Sequence, residues 1–263
     1  MNLLSKYETR RRLLRGMPDS DLLASMVDQW FQTPQGSVVF RAEQAIVAPI
    51  LERMFGYHIL QVGCGYGNSL IDDSPVGHKI KFAPGLRPGV RGAVANNEEL
   101  PLPTDSIDIV VVHHALDFTD DSHRLLREVT RVLRPGGHML IVGFNPFSSW
   151  GLWKLFKRRI SMPWRGRFIT RRRLADWLSL LNLHIGGVTM GLHFPPLKFR
   201  SLLASAERWE RFGNKIHSPF GGVYCIHCIK QVVPITPILP RWRPIRARAT
   251  VIPAAENLRA RIH

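Results

Sequence analysis

An apolar run that stops on alternating glycines, His58-Ile59-Leu60-Gln61-Val62-Gly63-Cys64-Gly65-Tyr66-Gly67-Asn68, constrains this chain more than any other stretch. Glycine tolerates φ > 0 and carries no Cβ to hold a ligand away from the backbone. A buried strand breaking into such a turn, and then into a helix, opens the nucleotide-type sites of open α/β sheets. There the ligand lies across the carboxyl ends of the strands. The spacing is G-x-G-x-G, not the G-x-G-x-x-G of dinucleotide-binding folds, and no acid follows the expected second strand. A nicotinamide enzyme is therefore the least favoured reading. A glycine turn between strand and helix needs no ligand on its own account; the downstream sequence raises the ligand reading.

Leu100-Pro101-Leu102-Pro103-Thr104-Asp105 reads as a turn, and the β-branched run Ile107 to Val112 as a fully buried central strand. Asp120 or Asp121 then caps a helix over Ser122–Leu133, whose apolar face is Leu125, Leu126, Val129, Val132 and Leu133. Arg134-Pro135-Gly136-Gly137 ends that helix, and His138 to Gly143 is a second buried strand. Strand, helix and strand with tight connections make a right-handed parallel βαβ unit.

Flanking elements are weaker. Residues 1–27 read as a polar helix with a basic cluster at Arg10-Arg11-Arg12, Trp30 to Gly36 as a turn, and Ala42–Phe55 as a helix packed on the sheet. After the glycines, Pro75 cuts off a short segment; His78–Ala83 is strand two, and Val90–Val94 a short strand three. Later come a helix over Thr170–Leu181, a strand near His184–Thr189, an amphipathic stretch Leu202–Phe212 and a last strand Gly222–Lys230. The late strands suit an antiparallel edge on a parallel sheet.

The chain has 263 residues, enough for one decorated α/β domain, and a formal charge of +16 that attracts polyanions. No apolar run approaches the ~20 residues of a membrane span. No apolar stretch follows the basic residues of Met1 to Arg15, and cysteines number three, so a reducing cytoplasm is expected. Cys225-Ile226-His227-Cys228 offers one ligand pair where a structural zinc needs two, so buried structural cysteines are expected and no metal. Residues 144–173 carry Trp150, Trp153, Trp164 and nine basic residues, and no acid lies between Glu128 and Asp176. From Gln231 the composition turns basic and proline-rich, as in a disordered tail.

Three motifs carry a family resemblance: Val62-Gly63-Cys64-Gly65-Tyr66-Gly67, then Leu100-Pro101-Leu102-Pro103 with Ser106-Ile107-Asp108, then Leu125 through Gly137. The last is similar to an L-x-E-x-x-R-V-L-x-P-G-G signature. Together they resemble class I S-adenosylmethionine-dependent methyltransferases of the type 11 group. Trp30 to Gly36 and Gly143-Phe144-Asn145-Pro146 look like a bacterial subgroup of uncharacterised members. The resemblance implies a Rossmann-like seven-stranded sheet of order 3-2-1-4-5-7-6 with helices on both faces, and S-adenosyl-L-methionine as cofactor. It implies cofactor contacts from Gly63, Cys64, Gly65, Gly67, Asn96, Asn97 and His113. Three acids usual in the family are absent: Gln61 stands before the first glycine, Asn96 at the adenine-reading position, and Lys81-Phe82-Ala83-Pro84 ends strand two. A lost charge-assisted hydrogen bond weakens binding by about tenfold to a hundredfold.

The resulting organisation is an N-terminal helical region over 1–57, a methyltransferase domain over 58–230 with a basic insertion at 144–173, and a tail over 231–263. Methyl transfer is mainly alignment and water exclusion, with a base needed only if the acceptor holds a proton at attack. His113, His114 and Asp117 are the candidates for that base; packing is the plainer role for each. The acceptor is a small molecule such as a quinone-like compound, or RNA. The basic insertion at 150–173 and the tail would meet a polyanion or membrane surface, unless the tryptophans simply pack on the sheet. The alternative to an enzyme is a catalytically inactive protein on the same frame, binding RNA or an anionic surface.

Overall fold

The computed structural model describes residues 20–63, 67, 69–84, 93–156, 162–196 and 220–231. Its first compact unit is Met1–Val232; the second, Val233–His263, lies outside the described residues, as do Arg10–Arg12, Cys64, Gly65 and the stretch Leu202–Phe212. In chain order the elements are α1 (Ser20–Phe31), α2 (Pro34–Leu51), β1 (His58–Gly63), β2 (His78–Ala83), β3 (Ala93–Val94) and β4 (Ile107–His113). Then follow α3 (Ala115–Phe118), α4 (Ser122–Val132), β5 (Leu133–Phe144), α5 (Ser149–Phe156), α6 (Arg171–Leu180), β6 (Leu183–Gly191) and β7 (Val223–Lys230).

The seven strands form one sheet of order β3-β2-β1-β4-β5-β7-β6. All pairings from β3 to β5 are parallel, and β7 runs antiparallel to both β5 and β6. Alternation along the strands builds two cores. Ile59, Ile109, Val111, Leu140 and Val142 face α1 and α2. Leu60, Val62, Val110, Val112, Met139 and Ile141 face α4 and α6 through Leu125, Val129, Leu174 and Leu178. Cys225 joins the first core and Cys228 the second, so the pair is split across the sheet. Burial pushes both thiols up to about 12, which suits packed structural cysteines.

Asp121 caps α4, accepting the N–H groups of His123 and Arg124. The Glu128–Arg131 pair of the signature helix serves the turn before β4. Glu128 accepts the N–H of Leu100 at 2.8 Å, and Arg131 donates to the carbonyls of Leu100 and Leu102. The motif therefore nails a proline-rich turn to α4, where each charge-assisted bond contributes about 1.5–3 kcal/mol. Asp108, inside the buried strand, accepts the N–H groups of Tyr57 at 2.7 Å and His58 at 2.8 Å and pairs with Arg134, tying β4 to the entrance of β1.

One expectation is corrected and two readings are refined. The Trp30–Gly36 stretch is not a turn: α1 runs to Phe31 and α2 starts at Pro34, eight residues ahead of Ala42. Thr33 caps α2 by accepting the Gly36 N–H, and proline fits the first helical position because its missing donor is not needed there. The signature helix ends before Arg134-Pro135-Gly136-Gly137, as expected, but the strand read from His138 starts earlier: β5 begins at Leu133 and absorbs the glycines as an irregularity opposite Ile107 and Ile109, with Gly136 at φ 77°. The tryptophans of the basic segment divide. Trp150 and Trp164 are buried and stacked with Phe144 and Phe168, while Trp153 is partly exposed.

Candidate active site

The strand order reverses between β1 and β4, and the register there sets Gly63 beside His113. That is the switch point at which open α/β sheets bind ligands. Three side chains hold the described backbone at and just after the glycine motif. Gln61, where the family carries an acid, accepts the N–H of Leu70 at 2.8 Å through Oε1. Asp28 of α1, itself buried, accepts the N–H of Gly67 at 3.2 Å. Asn97 donates from Nδ2 to the Gly63 carbonyl at 3.1 Å.

Of the two asparagines implied as cofactor contacts, Asn97 is the one at the turn. Asn96 is exposed and accepts the N–H of Glu98. Asn97 Oδ1 is buried with no hydrogen-bond partner among the described residues. A buried orphan acceptor costs about 1–3 kcal/mol unless a donor arrives, so a ligand offering an amino group fits this position. Gly63 and Gly67 are at the turn; Cys64 and Gly65 lie outside the described residues. β2 carries no acid to stand in for the ribose-side one, and its Lys81 is paired with Asp72 at 2.6 Å.

At the top of β4 the two histidines converge. Alternation puts His113 on the face of Ile109 and Val111, toward α2, and would put His114 on the other face. His114 takes a left-handed backbone, φ 51° and ψ 7°, which swings its ring back to the same side. There α2 supplies Glu43, buried between Val39 and Ile46 in an apolar stripe. His113 Nε2 donates to Glu43 Oε2 at 2.8 Å and His114 Nε2 to Glu43 Oε1 at 2.7 Å. His114 Nδ1 donates to Asp117 Oδ2 at 2.7 Å, and that same oxygen accepts the N–H of Phe144. Phe31 and Phe40 flank the His113 ring.

The structure thus brings together all three candidates for a base and adds a fourth group. Glu43 escapes a reading of the sequence, although a carboxylate set in the apolar stripe of a helix is the signal. Burial alone would raise the Glu43 carboxyl; attraction to His114 and His113, with their hydrogen bonds, holds it at about 2. Burial would likewise discharge His114, but Glu43 and Asp117 raise it to about 9. Burial raises Asp117 above 3.8 against the pull of His114. The ligand atoms of Glu43, His113 and His114 lie within 4.8 Å of one another, the composition of a metal cage. The separations of 2.7 and 2.8 Å are those of shared protons. Two ligands on a tetrahedral ion with bonds of about 2.0–2.1 Å stand roughly 3.3 Å apart.

Comparison with known proteins accords with this geometry. Residues 60–141 match the family model described as a methyltransferase domain. The chain is 32% identical over 197 residues to the uncharacterized protein YafS of Escherichia coli, covering 69% of this chain and 81% of that one. It is 32% identical over 178 residues to a Mycobacterium tuberculosis protein named as a probable S-adenosylmethionine-dependent methyltransferase, covering 60% of each. A SAM-dependent methyltransferase of Thermotoga maritima shares the fold with a TM-score of 0.59 at 19% identity, over 77% of this chain and 93% of that one. The chain belongs to the class I S-adenosylmethionine-dependent methyltransferases, an enzyme family whose cofactor is S-adenosyl-L-methionine.

Proposed function

We propose that this protein transfers the methyl group of S-adenosyl-L-methionine to a small organic acceptor at the carboxyl end of β1 and β4. The observation that carries the reading is the register of Gly63 against His113, which sets the first glycine of the motif beside a polar side chain at the switch point. The bound cofactor supplies an electrophilic methyl group and its own leaving group, so the protein aligns and excludes water. Gly63, Gly67 and Asn97 hold the cofactor side. Phe31 and Phe40 pack against the buried His113 ring, which supports a small acceptor over a polymer.

Contact with an anionic lipid surface belongs to the same reading. Phe147, Leu152, Leu155 and Phe156 are exposed around α5, and basic residues follow at once in sequence. Exposed apolar side chains next to cations suit an interface of that kind.

Native mass spectrometry of freshly purified protein is expected to show S-adenosyl-L-methionine or its demethylated product bound, and calorimetric titration to show saturable heat. Asn97→Leu removes the orphan acceptor and is expected to weaken cofactor binding about tenfold or more. Absence of both bound cofactor and titration heat overturns the proposal.

A further inference from the structure

We propose that His113 takes a proton from the acceptor at its Nδ1, and that Glu43, His114 and Asp117 are a buried relay positioning it, so that the acceptor attacks through a hydroxyl oxygen. This rests on the methyltransferase reading and assigns separate roles within that site.

The geometry fixes the roles. A carboxylate only accepts, so the hydrogen between His113 and Glu43 sits on His113 Nε2. In the neutral ring the lone pair is then on Nδ1, which makes no hydrogen bond among the described residues. His114 has no such spare nitrogen: both of its ring atoms are spent on carboxylates, at 2.7 Å each. A ring that donates twice is an imidazolium, and its displacement to about 9 agrees with that. His114 is therefore the fixed positive charge that lets two carboxylates be buried together, not a base. Asp117 anchors it and is held by the Phe144 N–H, with Lys154 nearby and Tyr224 facing it. On the His113 side, the facing groups from the packed elements are Glu43 of α2 and the rings of Phe31 and Phe40.

A relay of this kind has a use only when a proton must leave as the bond forms. A carboxylate acceptor has already lost its proton, and a neutral amine attacks through a free lone pair and loses its proton afterwards. A hydroxyl needs help at the moment of attack. The hydroxyl oxygen bonds to the methyl carbon as the carbon–sulfur bond breaks, and that electron pair stays on sulfur. The hydroxyl proton passes to His113 Nδ1, giving a methyl ether, a neutral thioether and an imidazolium that later releases its proton to water.

The roles of the two histidines can be tested before the acceptor is identified. In the full chain labelled with 15N-histidine, NMR is expected to show His113 as a single Nε2–H tautomer when neutral. His114 is expected to stay doubly protonated at pH 7.5. Glu43→Gln is expected to abolish the single tautomer of His113 while circular dichroism stays native, and Glu43→Asp to restore it in part. Observing His114 neutral at pH 7.5, or His113 as the Nδ1–H tautomer, overturns the relay. So does stoichiometric retention of Zn2+ alone by wild type after dialysis, lost in Glu43→Gln, because a metal would then hold the three groups. For the acceptor class, the protein is incubated with [methyl-13C]S-adenosyl-L-methionine and a small-molecule extract. The new 13C-methyl signal is expected at an oxygen-bound shift and to be lost in His113→Gln. A nitrogen- or carbon-bound methyl overturns the hydroxyl assignment. No methylated product, despite cofactor bound in the mass spectrum, overturns the enzymatic reading itself.

Discussion

Raising the pH from 6.5 to 9 is expected to strip about 3 kcal/mol of stability from this protein through one buried cluster. His114 titrates near 6.5 when unfolded; in the fold, desolvation opposes its charge, but Glu43 and Asp117 outweigh it and carry the group to about 9. The folded protein thus keeps a proton that the unfolded chain releases. The stability attached to it is complete below pH 6.5 and disappears as the pH climbs through 9. At about 1.4 kcal/mol per pH unit, the displacement corresponds to roughly 3 kcal/mol. Asp117, raised above 3.8 by burial, sheds stability in the same direction as the pH climbs past 3.8, and its hydrogen bond to His114 couples the two groups. Other displaced groups act elsewhere. Glu43, lowered from 4.5 to about 2, loses its contribution below pH 4.5, and His138 and His227, lowered from 6.5 by desolvation, act below that value. Cys225 and Cys228, raised from 9 to about 12, act above 9. Urea unfolding followed by circular dichroism at four pH values across the window, at constant ionic strength, reads the slope. His114→Gln is expected to be less stable at pH 6.5 and nearly flat in pH. A wild-type free energy constant to within ~0.5 kcal/mol across the window would refute the buried imidazolium.

Two structural predictions are independent of the site's chemistry. Asp108→Ala leaves the N–H groups of Tyr57 and His58 without their acceptor and Arg134 without its partner, and is expected to cost about 2–4 kcal/mol by thermal denaturation. An unchanged melting midpoint would show that water replaces the carboxylate without penalty. Gly36→Ala sets a Cβ 2.2 Å from the Trp30 carbonyl oxygen, where only backbone can yield. It is expected to lose about 1–3 kcal/mol through displacement of α1; a variant as stable as wild type argues against the close approach of α1 and α2.

The parts legible in the sequence share a physical origin. The β4–α4–β5 unit is readable because a β-branched run, a capping aspartate and a helical apolar face all point the same way, and their contacts are local or generic. The start of α2 is easily misread because proline and glycine close together signal a turn, whereas here one begins a helix and the other admits a neighbouring backbone. His113 is readable as the last residue of a buried strand. Its partner is not, because Glu43 is 70 residues away and meets it only through the rotation of α2 on the sheet. Nor does sequence reveal that His114 adopts a left-handed backbone, since strict alternation sends it to the opposite face. The absent acids are visible, but not what nearby polar groups hold instead: Gln61 accepts the N–H of Leu70 and Asn97 donates to the carbonyl of Gly63.

Glu43 lies upstream of the 60–141 segment that the family model spans. Two homologues could therefore agree at every position of that segment and still differ in whether a carboxylate is buried against His113 and His114. Sorting such sequences into groups calls for inspecting the leading helix pair as well as the shared core.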